Sequence, residues 1–316
     1  MAAGSPLNDC GGDSATSARH LHDVERKETT MTKHARDFQE KNVTLPNGLK
    51  IHYYEWPGPR PNLILLHPSS GYGRMWEWTA DALGSRFHVY ALDQRGHGDS
   101  GRPDGDYSAE EYAHDLHLFF QAVGLDRAII AGQSLGGRVG QVFAAVHPEQ
   151  IQALGLVGGP HPSNFFPTRQ ATINVLAAAH RMLESPTEFP SREAALAYLR
   201  TARPRDQDKA LRHRLEHNFV ATPSGVAVKY DTVRVAVGLA HMADDLQKYA
   251  GQATCPVAIL RGSHTSELTA EQAKEIAGCW KNAVVLDVEG DYGLQMENPA
   301  GLAQALSSFA AQAVRD

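Results

Sequence analysis

The serine in Ala131-Gly132-Gln133-Ser134-Leu135-Gly136-Gly137 has the residue types and spacing of a nucleophile turn. Small residues at 132, 136 and 137 permit a sharp bend that lifts the Ser134 hydroxyl clear of the backbone. A helix beginning at Leu135 would aim N–H groups and the positive end of its dipole at a developing anion. A second segment, Leu66-His67-Pro68-Ser69-Ser70-Gly71, supplies loop amides. An oxyanion needs two N–H donors; Leu135 and Ser69 are the candidates, because Pro68 has no N–H to give. Serine also needs a base, and the chain contains no histidine after His264. A phenol such as Tyr292 is protonated at neutral pH, so it serves better as a hydrogen-bond donor than as a base. His264 and His161 are the histidines placed to approach Ser134, with a polarised water as the remaining substitute.

These residues need elements to hold them. Residues 62–66 form a short apolar run typical of a buried central strand, as do 127–131, 151–157 and 257–260. Residues 42–45 and 49–55 flank Pro46-Asn47-Gly48 as an opening hairpin, 87–92 forms another strand and 283–288 the last. Helices are predicted from about 74 to 83, from 109 to 123 behind a Ser108/Glu111 capping box, from 135 to 146, and from 269 to 280 behind a Thr269/Gln272 box. Asn298 and Pro299 open the final helix. Alternating strands and helices predict an α/β fold with a mostly parallel sheet of about eight strands flanked by helices. The rhythm changes between 162 and 248. There the pattern predicts only amphipathic helices, near 168–183, 191–202 and 206–219, punctuated by prolines: an inserted helical cap. The resulting division is a disordered or start-site tail over 1–36, a core over 37–161 and 249–316, and the cap over 162–248.

The His67-Pro68 loop, Asp93-Gln94-Arg95-Gly96-His97-Gly98 and the 132–137 elbow together resemble the α/β-hydrolase family, over about residues 40 to 313. The Asp93–Gly98 segment reads as a hydrogen-bonded structural loop. The resemblance implies a Ser–His–acid triad, and the C-terminal part departs from it. Tyr292 occupies the position of the family's histidine, five residues before the glutamate of Glu297-Asn298-Pro299. The acid position falls on Ser266, or on Glu267 with a one-residue slip. Catalytic candidates are therefore Ser134, Tyr292, Glu267 and His264, and pocket candidates are His67, Trp76, His161 and Phe165.

With 42% hydrophobic and 21% charged residues and a net charge of −6, the 316-residue chain has the balance of a globular protein. No basic run invites nucleic acid, and no apolar run approaches the roughly 18 residues of a membrane span. Three scattered cysteines favour a reducing compartment over a disulfide framework or zinc site, so a cytoplasmic location is expected. The expectation is an enzyme needing no cofactor or metal, with a homodimer as the assembly to test, that acts on a small organic ester, lactone or related acyl compound. The alternatives are a non-hydrolytic enzyme of the same fold (a lyase, cyclase or cofactor-free oxygenase) and an inactive ligand-binding homologue.

Overall fold

The computed structural model describes residues 36–160, 165 and 168–313. The expected tail, except Arg36, lies outside the described residues, as do His161 and Phe166. Eight strands form one sheet in the order β1-β2-β4-β3-β5-β6-β10-β11. They are β1 (Gln39–Thr44), β2 (Lys50–Trp56), β3 (Asn62–Leu66), β4 (His88–Leu92), β5 (Ala128–Gln133), β6 (Ile151–Val157), β10 (Val257–Gly262) and β11 (Ala283–Val288). β2 runs antiparallel to both neighbours, and the other pairings are parallel.

Strand periodicity splits the core between the two faces of the sheet. On β3, Ile64 and Leu66 enter one apolar cluster while Leu63 and Leu65 enter the other. Helix α1 (Glu77–Leu83) packs on one face; α2 (Ala109–Val123) and α3 (Leu135–Val146) pack on the other. The Thr269/Gln272 capping box forms in full. At Ser108 only half a box forms: the hydroxyl accepts from the Glu111 amide, but the Glu111 carboxylate is taken by Arg95 at 2.8 Å. The Ser108 amide donates instead to Asp106 at 2.9 Å, so the second half of the box has no free donor.

Between β6 and β10 lie α4 (Arg169–Glu184), α5 (Arg192–Ala202), α6 (Asp208–His217) and α7 (Thr232–Ala240). The insertion is not purely helical. β7 (Glu188–Phe189), β8 (Phe219–Thr222) and β9 (Gly225–Val228) make a three-stranded antiparallel sheet in the order β7-β9-β8. Strands of two to four residues are too short to show a period in the sequence, which is why this sheet was not expected. Phe189, Leu199, Leu215 and Phe219 form a separate apolar cluster there. Among the described residues, no helix is long and apolar enough to cross a membrane.

Register places the chemistry. Leu66 of β3 pairs with Gly132 of β5, Gln133 with Val157 of β6, and β6 runs beside β10. The loops after β3, β5, β6, β10 and β11 therefore leave the same edge of the sheet, where open α/β sheets bind ligands.

Candidate active site

Ser134 has φ 51° and ψ −112°, left-handed backbone that a non-glycine residue adopts at a cost. It stands between the last residue of β5 and the first of α3. Gly136 makes this turn possible: a Cβ there would lie 2.3 Å from the Leu66 carbonyl oxygen. The start of α3 thus presses directly on the end of β3, next to the loop that carries Ser69. The Leu135 amide is among the first N–H groups of α3, which a helix leaves without intrahelical partners.

Tyr292 follows β11 in a loop tied down on both sides. Its carbonyl accepts from the Gln133 side chain at 2.8 Å, and the Glu297 carboxylate accepts the flanking amides of Asp291 at 2.8 Å and Gly293 at 3.3 Å. The ring fits against Gly158, where a Cβ would meet it at 3.1 Å. The phenol sits beside Ser134. Burial raises its pKa above the ordinary phenol value, contact with the Ser134 side chain works the other way, and the Glu267 carboxylate adds to the rise. Tyr292 is therefore protonated at neutral pH and offers a hydrogen bond.

Ser134, Ser69, Gln133, Glu267, Asp291 and Tyr292 line one cavity of about 350 Å³. The insertion contributes Arg203, Arg205, Arg214 and Leu239, with Met75 and Met296 as apolar walls. Glu267 is half-buried and holds Arg205 at 3.2 Å, whereas Ser266 is exposed and absent from the lining. So it is Glu267 that the loop after β10 turns toward Ser134.

Several pocket candidates lie elsewhere. His264 is exposed, fixed through its backbone amide to the Gly290 carbonyl at 2.9 Å, and its side chain is not part of the lining. His67 is fully buried, with one ring nitrogen on the Pro68 carbonyl at 2.8 Å and the other accepting the Gln94 amide at 3.0 Å. Its neighbours Pro68 and Ser69 line the cavity in its place. Trp76 is fully buried in the apolar cluster beneath α1, because that face of the sheet needs a large cover. Phe165 is buried against Trp280 with ring centroids 5.2 Å apart, so it packs the opposite core cluster and is not a pocket wall. Among the described residues, no histidine lines the cavity.

Sequence reasoning missed the support behind Tyr292 and the polar wall of the insertion. Gln133, inside the serine motif, had the only local signal. Gln295, fully buried, donates to the Gln133 side chain and continues that network. The arginines of the insertion carried none, since arginine on an amphipathic helix normally marks the solvent face. Away from this cavity, Glu77, His213 and His217 bring potential metal-ligand atoms within 4.8 Å of one another. There Glu77 already binds Arg74 at 2.6 Å, and His213 accepts or donates to the Tyr72 hydroxyl at 2.8 Å.

The family model for the α/β hydrolase fold matches residues 61–196. The chain is 25% identical to the 2-(acetamidomethylene)succinate hydrolase of Mesorhizobium japonicum, over 80% of this chain and 88% of that protein. It is 36% identical to the N-formylmaleamate deformylase of Pseudomonas putida, over 36% of this chain and 43% of that one. Several other curated relatives are spanned over only about half their length. Among solved structures, an E-2-(acetamidomethylene)succinate hydrolase superposes with a TM-score of 0.77 at 23% identity, covering 87% of this chain and 100% of the other; at that identity the likeness speaks for the fold.

Proposed function

Because the chain belongs to the α/β-hydrolase fold family and relatives with named activities are hydrolases, we propose that it hydrolyses a small organic ester, lactone or related acyl compound through Ser134. The observation that carries this reading is the meeting of Ser134, Tyr292, Glu267 and Ser69 at one cavity. The Ser134 oxygen attacks the acyl carbonyl. Its proton moves to the Tyr292 oxygen as the Tyr292 proton moves, through a water, to the Glu267 carboxylate. The carbonyl oxygen gains negative charge and takes N–H bonds from Leu135 and Ser69. The proton returns along the same route to the leaving group as the acyl–oxygen or acyl–nitrogen bond breaks. Water then attacks the acylated serine by the same relay, releasing the acid and restoring the Ser134 hydroxyl. A carboxylate behind a neutral phenol is a weaker base than imidazole, so turnover is slower than that of a histidine-based triad. The insertion acts as a cap that closes the cavity above Ser134.

The neutral phenol favours one further reading. A protonated donor beside two free amides suits an enolate or phenolate, as a lyase, cyclase or cofactor-free oxygenase would hold. A fluorophosphonate separates the two. Under the hydrolytic reading it modifies Ser134 stoichiometrically, and Ser134→Ala abolishes labelling and lowers nitrophenyl-ester turnover by about a thousand-fold or more. A folded protein that resists labelling sinks the hydrolytic reading and leaves the second.

A further inference from the structure

Resting on the hydrolytic reading above, we propose that Arg203 and Arg214 form a subsite for a carboxylate on the substrate, so that the preferred acyl compounds are acids as well as esters or amides. Arg203 follows α5 and Arg214 lies within α6. Both line the Ser134 cavity and also a second cavity, of about 450 Å³, under α4 and Tyr230. They stand where the two spaces meet.

Arg214 is buried and Arg203 half-buried, its side chain 35% exposed; the chain satisfies its other buried arginines more completely. Arg95 is clamped by Asp115 through two bonds, one of them 2.8 Å, and by Glu111 at 2.8 Å. Arg138 caps the carbonyls of His241 at 2.7 Å and of Met242 and Asp244 at 3.5 Å. Arg203 and Arg214 have no comparable neutralisation. Arg214 donates to the Ser70 carbonyl at 3.0 Å and lies over the Tyr72 ring at 5.6 Å; Arg203 donates to the Ser70 hydroxyl at 3.2 Å. Among the described residues the carboxylate recorded beside them is Asp206, 3.9 Å from Arg203, while Arg205 is already engaged by Glu267. Arg214 is itself buried, 7% exposed. Two cations held together this way repel each other. Their mutual repulsion, then burial, holds the Arg203 pKa down to about 10. An anion placed between the two forks removes that repulsion and gains charge-assisted hydrogen bonds from planar donors matched to a carboxylate.

The location ties recognition to chemistry. Both arginines, together with the Asn218 side-chain amide at 3.1 Å, hold Ser70. Ser70 has φ 56°, strained for a non-glycine residue, and adjoins Ser69, the proposed oxyanion donor. A carboxylate seated on the arginines would therefore fix the substrate in register with that loop.

The test uses Ser134→Ala protein, in which binding is read without turnover, so that failure of the subsite and failure of the hydrolytic reading are separate results. Succinate and its neutral diamide are titrated by calorimetry. Succinate is expected to bind and the diamide not, with inorganic phosphate weaker than succinate. Arg203→Gln should raise the succinate Kd by about tenfold or more, the loss of one charge-assisted contact. Arg203→Lys should recover part of it. In the unmutated protein, succinate should slow phenylglyoxal modification of Arg203 as read by peptide mass. This second measurement stands even if a variant fails to fold. Equal binding of succinate and its diamide, tighter binding of phosphate, an unchanged Kd in Arg203→Gln, or unprotected Arg203 would each overturn the carboxylate subsite.

Discussion

The two rims of the Ser134 cavity are built on opposite principles. On the β3–β4 side the polar groups are buried and bonded to one another. Asp93 accepts from the Gly73 amide at 2.6 Å, the Asp99 amide at 3.0 Å and His52 at 2.9 Å. His97 accepts the Ser70 amide at 3.1 Å and reaches the Arg95 carbonyl at 2.9 Å. On the β10–β11 side, Glu267, Asp291 and Tyr292 are half-buried and line the cavity, Glu267 holding Arg205 at its rim and the Tyr292 phenol meeting Ser134. A satisfied side-chain network holds the loops in place and leaves backbone amides such as that of Ser69 to face a substrate. On the second rim a phenol, Tyr292, stands beside Ser134, and no histidine lines the cavity among the described residues. The first rim holds geometry; under the proposed function the second carries the protons.

The largest expected effect probes the second rim. Tyr292→Phe keeps the ring against Gly158 and deletes only the hydroxyl beside Ser134. It should lower kcat on nitrophenyl esters by about a hundred-fold, with little change in KM, since a positioned acid–base group contributes at least that much. A change of less than about twofold would remove the phenol from the relay.

Acid probes the first rim. Burial holds His67 down to about 4, and burial with the neighbouring His67 holds His97 down to about 3. In the unfolded chain both titrate near about 6.5, so the unfolded state binds protons first as pH falls. Their contribution to folding stability should be level above about pH 6.5 and fall below it, by up to about 1.4 kcal/mol per pH unit for each histidine. Asp93 adds to this further down. Burial alone would raise its pKa, but bonds from His52 and the Gly73 amide hold it below the ordinary value. Its contribution is thus present above about pH 4 and lost as the folded-state pKa is passed. Urea denaturation at neutral pH and at pH 5 measures the slope, and because burial also holds His217 down to about 4, His97→Gln should flatten it by about a third if the three histidines contribute equally. A stability that does not change over that interval would mean these imidazoles are not held neutral.

The smallest effect is the most discriminating between sequence and structure. His264→Ala should leave kcat within about twofold and stability within about 0.5 kcal/mol, because the side chain is exposed and outside the lining. A fall in kcat of tenfold or more would show that the loop after β10 closes onto Ser134.

Legibility followed the range of the interaction. The turn at Ser134 was readable because strand, glycines and helix are contiguous, and the Thr269/Gln272 box because its partners are three residues apart. The Ser108 box formed only in part, since Asp106 takes the Ser108 amide and Arg95, sixteen residues away, claims the Glu111 carboxylate. Trp76 and Phe165 looked like pocket walls because an aromatic's type does not reveal which side of the sheet it covers. The three-stranded sheet of the insertion escaped because its strands are shorter than the period that would betray them.

From the chain alone came the alternation that dictates a parallel sheet, the serine bend, and the absence of any histidine after His264. Each is a matter of residue type and near-neighbour spacing, which act through local backbone sterics and apolar periodicity. Only the folded sheet brought Glu267 rather than Ser266 to the cavity wall, set Tyr292 beside Ser134, and brought Arg203 and Arg214 to the same cavity. Those choices depend on strand order and on loops leaving one edge, and so on contacts between segments up to about 160 residues apart, which no local pattern encodes.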